Sequence, residues 1–237
     1  MPVFRYVKGI ALMELGDYKG ALEYYEKMIK QDPTNVIFWY GKAVALMAQG
    51  NYKGALEYYE KMIKQDPTNV IFWYGKAVAL MARDNYEGAR ESYDTAINLD
   101  PTIAVFWHNK GNAHRALGRH EDAQESYEKA IKLDPKDPTI RTSLAALYRK
   151  LGRKTECAEQ CELARQFITN ESEYSRACFE AVCGSADEAL ELLRAALEKK
   201  QATPDWTRRD SDLEFLHDDP RFRALLDEFD EDSTGSS

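Results

Sequence analysis

The chain has 237 residues, 44% apolar and 30% charged, with a formal net charge of −8. An acidic chain without a clustered basic face repels phosphate, which argues against nucleic-acid and anionic-membrane partners. No apolar stretch reaches the ~20 residues of a membrane span, and MPVFRYVKGI lacks the basic and apolar regions of a secretory leader, so the expectation is a cytoplasmic chain with reduced thiols.

Reading from the N-terminus, YKGALEYYEKMIKQDPTNVIFWYGKAVALMA occupies Tyr18–Ala48 and recurs letter for letter at Tyr52–Ala82, a displacement of 34. The same period carries Asp-Pro-Thr at 32–34, 66–68 and 100–102, Phe-Trp at 38–39, 72–73 and 106–107, and the series Tyr25, Tyr59, Tyr93, Tyr127 and Ala21, Ala55, Ala89, Ala123. A repeat of this length marks a stacked array and not a closed globule.

Each period reads as two helices. In the unit 36–69, Phe38, Trp39, Val44, Ala45, Leu46 and Met47 recur at helical steps from Ile37 to Ala48. Gly50–Asn51 interrupts the pattern, because both residues tolerate the left-handed geometry of a helix C-terminus. Tyr52, Ala55, Leu56, Tyr59, Met62 and Ile63 form the second apolar stripe, and Pro67 ends it. No alternating strand pattern occurs. Well-matched units fall at 2–35, 36–69, 70–103 and 104–137. The phase continues in degraded form over 138–200 as two further pairs, with Leu144, Ala145, Tyr148 and Gly152, then Ala177, Gly184, Ala189, Leu193 and Ala196. A helix pair of this size cannot bury its own apolar faces and must stack on the next.

The spacing of Trp39, Ala43, Leu46, Gly50, Tyr52, Ala55, Tyr59 and Pro67 resembles the tetratricopeptide repeat, in the form found in bacterial and archaeal arrays. The unit 2–35 departs from it with Arg5 at the Trp position, and 138–170 places Cys157 and Cys161 where Ala and an aromatic residue are expected. The resemblance implies an all-α, right-handed solenoid of antiparallel helix pairs. The segment 201–229 resembles the closing segment of such arrays, with Asp219–Pro220 opening a terminal capping helix and Phe222, Leu225, Leu226 and Phe229 as its apolar stripe. The acidic tail 230–237 is expected to be disordered.

The resemblance also implies a function, that of a non-enzymatic adaptor or scaffold with no cofactor. In the family, the first helices line a groove that binds a peptide or an amphipathic helix of another protein. Carried over by phase, the groove positions are Ile37, Tyr40, Val44 and Met47, then Ile71, Tyr74, Val78 and Met81, then Val105, His108, Asn112 and Arg115. The Lys/Asn clamp with which chaperone-tail binders of the family hold a carboxylate is not matched. Tyr40 and Val44 replace its first Lys and Asn, and Gly75 replaces its second Asn. A second expectation is end-to-end self-association through Val3, Phe4 and Val7.

Other chemistry is weakly represented. No phosphate-binding glycine loop or HExxH helix occurs. His108, His114 and His120 are six apart, which does not align them on one helix face. Cys157 and Cys161 share a helix face, and Cys178 and Cys183 lie on the next helix. At core positions cysteine serves as a small hydrophobe. The alternative is a metal or redox module, with converging thiolates able to bind zinc.

Overall fold

A computed structural model describes residues 3–234, with side chains described for 8–13 and 15–230. Among these residues it is all-helical, in consecutive packed pairs, and its class is that of the tetratricopeptide solenoid. The helices are α1 Val3–Glu14, α2 Tyr18–Gln31, α3 Val36–Ala48, α4 Tyr52–Gln65, α5 Val70–Met81, α6 Tyr86–Leu99, α7 Ala104–Ala116, α8 His120–Leu133, α9 Pro138–Lys150, α10 Lys154–Arg165, α11 Glu173–Cys183, α12 Ala186–Glu198, α13 Pro204–Arg209 and α14 Pro220–Thr234. Short 3-10 turns occupy Ile168–Asn170 and Glu214–Leu216. Chain contacts divide the protein into two units, one up to Ala123 and one from Gln124 onward.

Local chemistry sets the helix boundaries. Gly50 adopts φ +73° after α3, and Asn51 N–H reaches back to the Leu46 carbonyl at 2.8 Å. This closes the helix end in a left-handed turn, a geometry glycine adopts without Cβ strain. Asn51 then caps α4 by accepting from Gly54 N–H at 3.0 Å. The Asp-Pro-Thr-Asn link is equally constrained. Asp66 accepts from the Thr68 N–H and hydroxyl at 3.1 and 2.7 Å, while Asn69 caps α5 through Ile71 N–H. Asp84 occupies the glycine position of the third link, left-handed at φ +58°.

In the first unit each helix from α2 to α6 packs against its successor. The repeated alanines and tyrosines make the core: Ala21, Ala55 and Ala89 are fully buried, and Tyr25, Tyr59 and Tyr93 are almost so. Small residues let the backbones approach and the rings fill what remains, which is how interiors reach close packing.

In the second unit α9 packs on α10 and α11, and α11 packs on α12. Phe222, Leu225 and Leu226 of α14 join Leu213 and Leu216 against Ala177, Ala181, Ala189, Leu193 and Leu197. The apolar stripe thus covers the last helix pair, and each of its large side chains contributes about 1.5–3 kcal/mol by burial. Asp219 caps α14 through Arg221 N–H at 2.9 Å. α14 runs on to Thr234, into the stretch expected to be a disordered tail, and Gly235–Ser237 lie outside the described residues.

Candidate functional site

The twelve positions assigned to the groove lie on α3, α5 and α7 of the first unit, four to each helix at steps of three and four residues, so each set shares one helix face. Ile37, Ile71 and Val105 head the rows and are 48%, 43% and 40% exposed. Tyr40, Val44, Met47, Tyr74, Val78, Met81, His108, Asn112 and Arg115 are half-buried. Part of this surface is therefore also packing. Met47 and Met81 lie against the cluster of Leu56, Ala77, Leu80 and Tyr93, and Tyr40 lies against that of Ala55, Tyr59 and Phe72.

The tyrosines are backed by tyrosines of the second helices. Tyr40 meets Tyr59 edge-on with centroids 6.4 Å apart, and Tyr74 lies 6.1 Å from Tyr93 and 5.3 Å from Phe106. Such ring pairs favour offset or edge geometry and hold the side chains in place. Burial pushes the Tyr59 and Tyr93 hydroxyls well above their ordinary range, and the neighbouring Tyr40 and Tyr74 add to the shift. The Tyr74 hydroxyl is raised mainly by burial and eased by a hydrogen bond from Asn109. The Tyr59, Tyr74 and Tyr93 hydroxyls are hence neutral hydrogen-bonding groups in an apolar setting.

Asn109 was not singled out from the sequence. Its amide donates to Tyr74 Oη at 3.3 Å, and Asn112 donates to Asn109 Oδ1 at 3.4 Å, which links α7 to α5 by a polar chain. The available signal was a break in the period, since Gly41 and Gly75 occupy the equivalent positions.

A second periodic feature pairs Lys42 with Glu26 at 2.5 Å, Lys76 with Glu60 at 3.9 Å and Lys110 with Asp94 at 2.6 Å. Each ammonium also lies over an aromatic ring: Tyr58, Trp73 and Trp107 respectively. These lysines are thus engaged in structural contacts. His114 is buried on α7, its Nδ1 without a hydrogen-bond partner and 3.8 Å from Asp122.

The four cysteines do not converge as one set. Cys161, with Cys157 and Cys183 beside it, belongs to the cluster of Ala145, Ala164, Ile168, Phe179 and Val182. Cys178 belongs to the cluster under α14, its Sγ 4.0 Å from Asp210. The reason is angular, because five residues on a helix turn about 140° away from one another. Among the described residues no group of three or more His, Cys, Asp or Glu side chains is arranged to hold a metal ion.

Family models described as tetratricopeptide repeat match residues 6–70, 46–106 and 92–125, and one described as TPR repeat matches 111–152. No curated protein matches the chain. Among solved structures, MamA is 26% identical with a TM-score of 0.62, covering 70% of this chain and 97% of its own. A thermophilic TPR protein of Thermus thermophilus is 23% identical with a TM-score of 0.65, covering 77% and 99%. MamA from residue 41 to its end, of Desulfovibrio magneticus, is 19% identical with a TM-score of 0.64, covering 71% and 95%. The last two likenesses concern the fold alone.

Proposed function

This chain belongs to the tetratricopeptide-repeat family, and from that premise we propose that it binds a peptide or amphipathic helix of another protein along α3, α5 and α7. Proteins of this family are interaction scaffolds and typically non-enzymatic adaptors. We read this chain as such, without catalytic activity. No helix among the described residues is long and apolar enough to cross a membrane.

One observation supports the reading above the rest. Two rows of identical composition, Ile37/Tyr40/Val44/Met47 and Ile71/Tyr74/Val78/Met81, stand on successive first helices, each headed by an isoleucine more than two-fifths exposed. Apolar surface that is repeated and not shed to the interior is costly in water and marks a docking face. The third row changes to His108, Asn112 and Arg115, which supplies hydrogen-bond donors at one end. An occupant with apolar residues along most of its length and an acceptor at one end fits such a face.

Ile37 and Ile71 test the proposal more cleanly than Tyr74 or Met81, which also pack in the core. The Ile37→Asp/Ile71→Asp double variant should keep helicity and melting behaviour while losing the proteins that the wild-type chain captures by affinity. Leu15, 82% exposed, gives the control Leu15→Asp. Equal capture by the wild-type chain and the double variant would overturn the assignment. The alternative of end-to-end association rests on Val3, Phe4 and Val7, whose side chains lie outside the described residues. Light scattering across concentrations separates it from a monomeric adaptor.

A further inference from the structure

In the second unit, α10 and the C-terminal end of α11 bring three thiols together. Cys161 is buried at 8% exposure, and Cys157 and Cys183 flank it half-buried. Both neighbours pack against the same cluster of Ala145, Ala164, Ile168, Phe179 and Val182 to which Cys161 belongs. Two cations frame the cluster. Arg165 lies over the Phe179 ring at 4.9 Å and pairs with Glu180 at 3.1 Å, and Arg149 holds the last carbonyls of α11, at Ala181 and Val182, each at 2.6 Å. The buried Glu180 carboxylate keeps Oε2 without a hydrogen-bond partner. A purely apolar packing role requires neither a guanidinium nor a carboxylate beside the sulfurs.

We propose that Cys161 and Cys183 are a redox pair, in which a small hydroperoxide oxidises Cys161 and Cys183 resolves the product as a disulfide joining α10 to α11. In the first step the Cys161 thiolate attacks the distal oxygen of the peroxide. The O–O bond breaks, the sulfur loses two electrons to it, and the alkoxide or hydroxide leaves with a proton as alcohol or water. In the second step the Cys183 sulfur attacks the Cys161 sulfenic acid. The new S–S bond forms, hydroxide leaves, and the proton shed by Cys183 converts it to water. The sum is two thiols and one hydroperoxide giving one disulfide, one alcohol or water, and one water.

The roles follow from the surroundings. Hydrogen bonds from Cys183 and Cys157, with Arg165 nearby, hold the Cys161 thiol below its ordinary range, which favours the nucleophilic thiolate. Burial and the Cys161 charge raise Cys157 to about 11, and its hydrogen bond to Cys161 first, then burial, push Cys183 up, so both remain protonated donors. Cys157 is one turn from Cys161 on the same helix, where closing a disulfide strains the backbone. Cys183 comes from a different helix and is not so restricted.

The test uses the full chain, reduced, then exposed to a few-fold excess of hydrogen peroxide, blocked with a maleimide and mapped by fragmentation mass spectrometry. The expected result is loss of two of the four thiols in a monomeric chain, with Cys161 linked to Cys183. Cys157→Ser should leave that link intact. Cys183→Ser should abolish it and leave a sulfenic acid on Cys161 that dimedone traps. Four unreacted thiols, a link between chains, or a link through Cys157 or Cys178 would each overturn the assignment, and the wild-type map decides even if a variant folds poorly.

Discussion

The ring of Tyr59 lies so close to the backbone of Gly75 that a Cβ there would stand 2.4 Å from Cε1 and Cζ. Tyr25 stands in the same relation to Gly41. Ring and glycine together set how closely α4 and α5 approach, so the first helix of a unit is positioned by the second helix of the unit before it.

Glycine in the middle of a helix is ordinarily a defect, and its replacement by alanine stabilises by roughly 0.5–1 kcal/mol. At position 75 the sign should reverse. The added methyl must push the buried Tyr59 ring aside, and overpacking of that kind costs about 1–3 kcal/mol. Urea denaturation of Gly75→Ala should show a net loss of stability. The loss should largely vanish when Tyr59→Leu is the reference background. Equal effects in both backgrounds would show that the ring does not set the spacing.

The identical blocks permit an internal comparison. Trp73 donates its indole N–H to the Pro67 carbonyl at 2.8 Å, whereas the buried Trp39 indole N–H has no partner and the ring instead meets Tyr58 edge-on at 5.9 Å. The difference arises outside the repeat, because the residue one period after Tyr58 is Ser92, which is buried and bonds its hydroxyl to the Gly88 carbonyl. An intramolecular hydrogen bond contributes about 0.5–1.5 kcal/mol, and a buried unpaired donor costs about 1–3 kcal/mol. Trp39→Phe should therefore destabilise less than Trp73→Phe by at least about 1.5 kcal/mol, the lower bounds of the two effects taken together, in parallel urea titrations.

This contrast shows where sequence reading stops. Helices, links and the α14 stripe were legible because each depends on residues near in sequence: Asn51 caps the helix that follows it, and Phe222, Leu225 and Leu226 share a face by spacing alone. Spacing alone puts the twelve assigned positions on one face each of α3, α5 and α7, but it does not give the extent to which Met47, Met81 and Tyr40 are also core residues. The orientation of Trp39 depends on Tyr58, and the grouping of Cys161 with Cys183 but not Cys178 depends on the packing of α10 against α11. Such contacts bring together side chains whose common location no local pattern encodes. The extension of α14 to Thr234 was missed for a simpler reason, as composition sees acidity there and not helix continuation.

His114 gives the chain a pH dependence whose sign can be worked out. Burial lowers its pKa foremost, Lys110 and Arg119 lower it further, and Asp122 and Asp94 oppose them. The unfolded chain has a histidine near 6.5. Between the folded and unfolded values the unfolded state binds more protons, so stability rises with pH across that window. The contribution is fully present above about 6.5 and is lost as pH falls below it. Melting temperature should therefore be lower at acidic pH than near neutrality. His114→Gln should flatten that slope, and an unchanged slope in this variant would assign the dependence to other groups.

In the second unit, Arg149 joins α9 to the end of α11. Its Nη1 donates to the Ala181 and Val182 carbonyls at 2.6 Å each, and its guanidinium lies 4.2 Å from the Phe215 ring centroid. The last carbonyls of a helix lack intrahelical partners and carry its negative end, so a cation there is doubly favourable. Arg149→Ala removes both bonds and the stacking, and should cost about 1.5–3 kcal/mol, the range for hydrogen bonds to charged groups. Arg149→Lys keeps the charge and can reach one carbonyl, but it loses the guanidinium's contact with the Phe215 ring, which is worth about 0.5–1 kcal/mol. Its stability in urea should thus lie between those of wild type and Arg149→Ala. If lysine restored wild-type stability, charge alone would account for the contact, and the ring of Phe215 would have no part in holding the 3-10 turn at Glu214–Leu216 against the array.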